Sequence, residues 1–179
     1  MNDEQLLRVA IVSNPAEDDP RLRYADLLRE RDHVEHAEFI EQSVRSPEDH
    51  VHHFPPGHQA FVMLDRRDGS PEPVPVWCAE AFDGVAFTVR RGFADGVTCT
   101  AANWIGFGDA LTCDYPITSV ALTAWPAFQR PHYHGDGRYH LTLGGFNDGN
   151  APSGIGRTVQ EAIISALNVR WPDISFTMD

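Results

Sequence analysis

The chain has 179 residues, 42% of them apolar, enough for one domain with a small appendage or one compact two-part domain. Twenty-six acidic residues face 14 Arg and no Lys, for a net charge of −12, which argues against nucleic-acid phosphates and anionic membranes as partners. No apolar run nears the ~20 residues of a membrane helix, and the N-terminus lacks the basic and apolar regions of a signal peptide, so a cytoplasmic protein is expected.

Three helices are predicted within residues 1–46. Leu6, Leu7, Ala10 and Ile11 recur at helical spacing and predict one apolar stripe, ended by Ser13, Asn14 and Pro15. Asp18 and Asp19 before Pro20 predict an acidic cap and a helix start. Leu22, Ala25 and Leu28 line one face of that second helix, flanked by Tyr24 and Leu27. Asp32 is placed to cap a third helix, whose stripe is Ala37, Ile40 and Val44 with Phe39 beside it. Arg21, Arg23, Arg29 and Arg31 interleave with Asp26, Glu30, Glu35 and Glu38 on the polar faces. Short connections favour neighbouring packing of the three helices.

The run Pro20-Arg21-Leu22-x-Tyr24-Ala25-Asp26-x-Leu28-x-Glu30, then Ala37-Glu38-Phe39-Ile40, resembles the bacterial repeat-companion domain. That family's pattern reads like PRL-x-YADWLEE-x-GD…EFI. The match covers about the first quarter of the chain. Leu27 stands where the family usually has Trp, and His33 follows Asp32 without the usual Gly-Asp turn. The resemblance implies a helical module and a bacterial origin, and no established activity. From their residue types alone, Arg21, Tyr24, Asp26 and Glu38 read as structural: a buried Tyr among paired charges.

Residues 47–59 hold two consecutive Pro and no helical period, and are predicted as a linker. His50, His52, His53 and His58 in this stretch are the first candidates for a metal site, since His is a common ligand. Their spacing matches no zinc template, and no Cys lies near. His132, His134 and His140 form a second group. His132-x-His134 would share a strand face, but the surrounding Pro and Gly predict a loop.

Residues 60–179 are predicted as an α+β domain: a small mixed sheet with two helices. Strand signals lie at 60–65, 74–77 and 84–100, where Val85, Phe87 and Val89 alternate with Ala86, Thr88 and Arg90. Trp104, Phe107 and Leu111 predict a helix over 101–112, weakened by Gly106 and Gly108. Strands follow at 115–126 and 138–146, and a Gly-rich stretch reads as a loop. It lacks the Lys of a phosphate-binding loop and the compact glycine spacing of a dinucleotide turn. Thr158 with Glu161 is a capping box that opens a helix with Val159, Ala162, Ile163, Ala166 and Leu167 as its stripe. A closing strand is expected at 174–178. Trp104, Trp125 and Phe128 fit either the core or a surface for a partner.

The three Cys, Cys78, Cys99 and Cys113, read as free thiols in a reducing compartment. Asp136 and Asp148 lie in Gly-rich stretches and read as turn residues. No G-x-S-x-G elbow and no activated Cys is present. No catalytic residue, cofactor site or metal site is therefore assigned. The expected function is a non-catalytic protein-binding or adaptor module whose acidic surface would suit a basic protein partner, with no nucleic acid or membrane partner. The alternatives are a small His-dependent metal-binding protein or enzyme, and an acidic immunity or antitoxin-like factor.

Overall fold

The computed structural model describes residues 2–56, 61–65, 71–75, 84–124, 132–143 and 151–178. Trp125, Phe128, Cys78, His58 and Asp148 lie outside the described residues. The fold is α+β: three N-terminal helices, then strands with two further helices. The chain divides into two compact units, residues 1–97 with 110–117, and residues 98–109 with 118–179.

The first unit opens with α1 (Asp3–Ser13), α2 (Asp19–Glu30) and α3 (Val34–Arg45). The Asn2 side chain caps α1 by accepting from the Gln5 N–H at 2.8 Å, and the Gln5 side chain returns the bond at 3.1 Å. Neither Asp expected to cap a helix does so. Asp18 sits before α2 without a side-chain cap, because its carboxylate accepts from Arg91 at 3.3 Å instead. Asp32 adopts a left-handed φ of 66°, so the cap position of α3 falls to His33, which makes no side-chain bond there.

The strands of this unit are β1 (His52–Phe54), β2 (Phe61–Asp65), β3 (Pro71–Pro75), β4 (Ala86–Arg90) and most of β5 (Phe93–Cys99). Thus the stretch 47–59 holds a short strand, and β1 runs antiparallel to β4 with His52 opposite Val89 and Phe54 opposite Phe87. β2 and β3 form their own antiparallel pair. The alternation read from the sequence holds in β4, where Phe87 and Val89 are buried and Ala86 and Thr88 less so.

Arg91 and Gly92 join β4 to β5 with φ of 50° and 78°. Two successive left-handed residues are the two-residue hairpin loop that matches strand twist. A Cβ on Gly92 would lie 2.8 Å from Ile40 Cγ1, so α3 also requires glycine there. The Arg91 guanidinium donates to the carbonyls of Pro15 at 2.9 Å and Ala16 at 3.2 Å, fixing the turn to the α1–α2 connection. Beside it Arg21 is fully buried. It donates to the Glu17 carbonyl at 2.5 Å and stands over the Phe93 ring, 5.5 Å from the centroid. Tyr24 meets Phe93 edge-on at 5.9 Å, and its hydroxyl donates to Glu4 at 3.4 Å. The motif residues of α2 are therefore the seat of a β-hairpin, and residues 1–45 share a core with residues 85–97.

The second unit contains most of α4 (Ala101–Asp114), then β6 (Ser119–Leu122), β7 (His132–His134), β8 (Arg138–Thr142), β9 (Ser153–Gly156), α5 (Val159–Arg170) and β10 (Ser175–Met178). β6 and β10 pair in parallel, and β7, β8 and β9 form an antiparallel sheet in that order. Two of these strands occupy segments that read as loops, PHYHG and SGIG. The glycines of β9 have a packing reason. A Cβ on Gly154 would lie 2.1 Å from the Ala162 carbonyl oxygen and 2.2 Å from the Ala166 nitrogen. Helix and strand approach so closely that only glycine fits. The Thr158 and Glu161 capping box forms as predicted, with Glu161 N–H donating to Thr158 at 3.1 Å. Trp104 is fully buried against Trp171 (5.4 Å) and Phe176 (5.8 Å), which places it in the core.

Three outcomes are expected from the packing within the two units. Ala in place of Gly106, where nothing lies within 4 Å, raises stability by about 0.5–1 kcal/mol through helix propensity, while Gly108→Ala lowers it by about 1–3 kcal/mol. The Cβ at 108 would stand 2.9 Å from the Trp104 ring. Urea titration of the two variants distinguishes these signs. Arg21→Ala leaves a cavity and an unpartnered Glu17 carbonyl, and is expected to destabilise by roughly 2–4 kcal/mol by the same measurement.

Candidate functional site

Of the first group, His52 and His53 do not share a face. His52 and His53 are neighbours in β1, and a strand sends successive side chains to opposite faces. His52 packs on Phe39 with ring centroids 5.7 Å apart, and burial lowers its pKa, helped by His50 and His53. His53 meets the Thr88 hydroxyl at 3.1 Å on the other face. In the second group, His132 stands opposite His140 across β7 and β8, and His134 is opposite Arg138. Among the described residues, no group of three or more His, Cys, Asp or Glu side chains is placed to hold a metal ion.

Cys99 is buried, and burial pushes its thiol up to about 12. Cys113 is free and exposed. Asp136 accepts from both the backbone and the guanidinium of Arg138, so it serves the β7–β8 turn. Burial raises the pKa of Asp95, with Arg90, Arg91 and Arg21 opposing it. Burial, then Arg91, lowers Arg21 to about 10, which leaves it charged at neutral pH. Arg21 and Arg91 hold the hairpin to α2 and to the α1–α2 connection.

The open surface lies instead along α1. Ile11 is fully buried, Leu7 and Ala10 are half-buried, and Leu6 points outward at 52% exposure. Leu6 was expected in the core stripe; it joins Val9, 54% exposed, on a second face three residues on. Two grooves flank this face. One, of about 570 Å³, is lined by Gln5, Arg8, Val9, Val12, Cys113 and Asp114. The other, of about 360 Å³, has Leu6, Leu7 and Leu27 as its floor, with Asp3, Asp26, Glu30 and Arg23 at its rim. Arg23 is drawn to Asp19 at 3.6 Å, so the rim is predominantly acidic. The signal in the sequence was Leu6, Val9 and Val12, a second apolar row on α1.

Compared with protein-family models, curated proteins and solved structures, the chain finds no match. Among the described residues no helix is long and apolar enough to cross a membrane.

One titration is set by the packing of α3. Burial, then the charge of His33, pushes His36 down to about 4, against ~6.5 in the unfolded chain. The folded value is depressed, so the unfolded chain binds more protons between these values. The contribution is full above ~6.5 and is lost as pH falls towards 4. Wild-type protein is expected to lose on the order of 2–3 kcal/mol more than His36→Gln between pH 7 and pH 4. Urea midpoints at a series of pH values check this, and equal slopes in the two proteins would sink it.

Proposed function

We propose that this protein is a non-catalytic protein-binding module that takes a basic amphipathic helix along the outer face of α1. One observation carries the reading: Leu6 and Val9 are both more than half exposed, with a groove on either side. An apolar helix row with an acidic rim is the complement of a helix presenting Leu or Ile at i, i+3, i+4 and i+7 and Arg or Lys beside them. The charge of the chain supports the same partner: residues 1–50 hold six Arg against thirteen acids. Nucleic acid is disfavoured by that balance.

We also read residues 1–45 as a repeat-companion module of a bacterial cytoplasmic protein. Two features support this. Asp32, at φ 66°, occupies the position where the family pattern has Gly, the residue that a left-handed φ favours. The buried Arg21, Tyr24, Ala25 and Leu28 are motif positions, and all serve packing. The motif then defines a scaffold, and binding falls to α1 outside it.

A synthetic helical peptide with a Leu face and Arg flanks is the probe, with an acidic version and a scrambled basic version beside it. Titrated into the full chain by fluorescence anisotropy, the basic amphipathic peptide is expected to bind saturably, and Leu6→Glu or Val9→Glu to weaken it at least tenfold. Both positions are exposed, so the variants keep stability within about 0.5 kcal/mol. Equal binding of the scrambled peptide, or of wild type and Leu6→Glu, would leave only charge and overturn the proposal.

A further inference from the structure

The outer face of α1 is uneven along its length. The short connection 14–18 turns the chain, and Arg31, just past α2, pairs with Glu4 in the first turn of α1 at 2.6 Å, so the two helices run in opposite directions. The last turn of α2 therefore lies by the N-terminal end of α1. There the acids of the second groove gather: Asp3 on α1 and Glu30 on α2, both exposed. Neither forms an ion pair among the described residues. Further along, the charges change. Arg23 closes the second groove, and Arg8 lines the first together with Asp114, so charges of both signs are present. Val9 and Val12 continue the face towards its C-terminal end.

We infer that the helix docked on α1 runs antiparallel to it, with its basic residues in its C-terminal turns over Asp3 and Glu30, and its apolar N-terminal turns over Val9 and Val12. This rests on the reading of α1 as a docking face and adds the direction and charge order of the partner. An apolar row at i, i+3, i+4 and i+7 fits a groove in either direction, so the charges must decide. Arg or Lys over Asp3 and Glu30 meets acids without ion-pair partners, whereas at the other end it meets Arg8 and Arg23. Cations stabilise the last turn of the helix that carries them and destabilise its first. A partner with basic C-terminal turns is thus the one that arrives already helical. Lying antiparallel, its negative C-terminal end faces the positive N-terminal end of α1; the parallel arrangement sets like ends together.

Two helical peptides of one composition and one Leu row test this, one with Arg in its last two turns and one with Arg in its first two. Titrated into the full chain at low salt by fluorescence anisotropy, the C-terminal-Arg peptide should bind at least threefold more tightly. Glu30→Gln, at an exposed position, should shrink that advantage, with circular dichroism to check folding. Direction is read by disulfide trapping. Ser13 is exposed and continues the row of Leu6 and Val9 at the C-terminal end of α1, so Ser13→Cys is made in a Cys113→Ser background. The C-terminal-Arg peptide carries a cysteine at one terminus as its mixed disulfide with thionitrobenzoate. The protein thiolate attacks the peptide sulfur, a protein–peptide disulfide forms, and thionitrobenzoate leaves as a coloured thiolate. Trapping should be at least tenfold faster with the cysteine at the peptide's N-terminus than at its C-terminus. Cys113→Ser alone should show no such difference. Saturable binding with equal trapping from both ends, faster trapping from the C-terminus, or equal affinity of the two peptides would overturn the direction and leave the docking face standing. No saturable binding of either peptide would overturn both.

Discussion

The first unit depends on a single awkward group, the guanidinium of Arg21, buried at zero exposure. An ionised side chain leaves water only where the surroundings compensate it. Here the compensation is assembled from two chain segments, the α1–α2 connection and β5. The Glu17 carbonyl accepts from Nη1, the Phe93 ring lies against the planar face, and Asp18 and Asp95 supply opposing charge. Nε and Nη2 find no hydrogen-bond partner among the described residues, so ring and charges carry more of the burden. Arg suits this place where Lys would not, because a flat, weakly hydrated cation can stack on an aromatic ring while donating from its edge. Each compensating segment is thereby fixed relative to α2.

That constraint decides what α2 and α1 have left to offer. The inner residues of α2 are taken by the hairpin, through Tyr24 and Phe93 as well as Arg21. α1 is joined to α2 by Glu4, which accepts from Tyr24 and from Arg31, the latter at 2.6 Å. With Ile11 buried and Glu4 so engaged, Leu6 and Val9 are left more than half exposed. An apolar row left outward beside two grooves is the expected shape of a binding surface. The packing role of the α2 residues and the outward placing of Leu6 and Val9 follow from the same arrangement.

The three helices, the alternation in β4 and the capping box of α5 were legible because each rests on residues close in sequence. The failures have a common physical cause: a residue's local preference was overruled by a partner distant in the chain. Asp18 is a good cap by composition, yet its carboxylate is drawn to Arg91, 73 residues later. The SGIG segment reads as a loop because glycine weakens strands, but its glycines are demanded by the backbone of α5. Leu6 fits the core stripe of α1 by spacing alone; which of two apolar rows is buried depends on where α2 lies. The pairing of His132 with His140 requires the register of a hairpin, and the sequence shows only that both residues exist.

The two units thus solve close approach in opposite ways, and the exposed faces inherit the difference. In the first, bulk and charge are buried together, and an Arg is held by a ring, a carbonyl and two acids. In the second, side chains are removed: Gly154 and Gly156 let β9 lie directly against Ala162 and Ala166. A strand with glycine on one side must carry its chemistry on the other. Alternation then sends Ser153, Ile155, His140 and His132 outward as a group. The same packing that sets α5 against Gly154 and Gly156 decides which residues of the sheet share its other face.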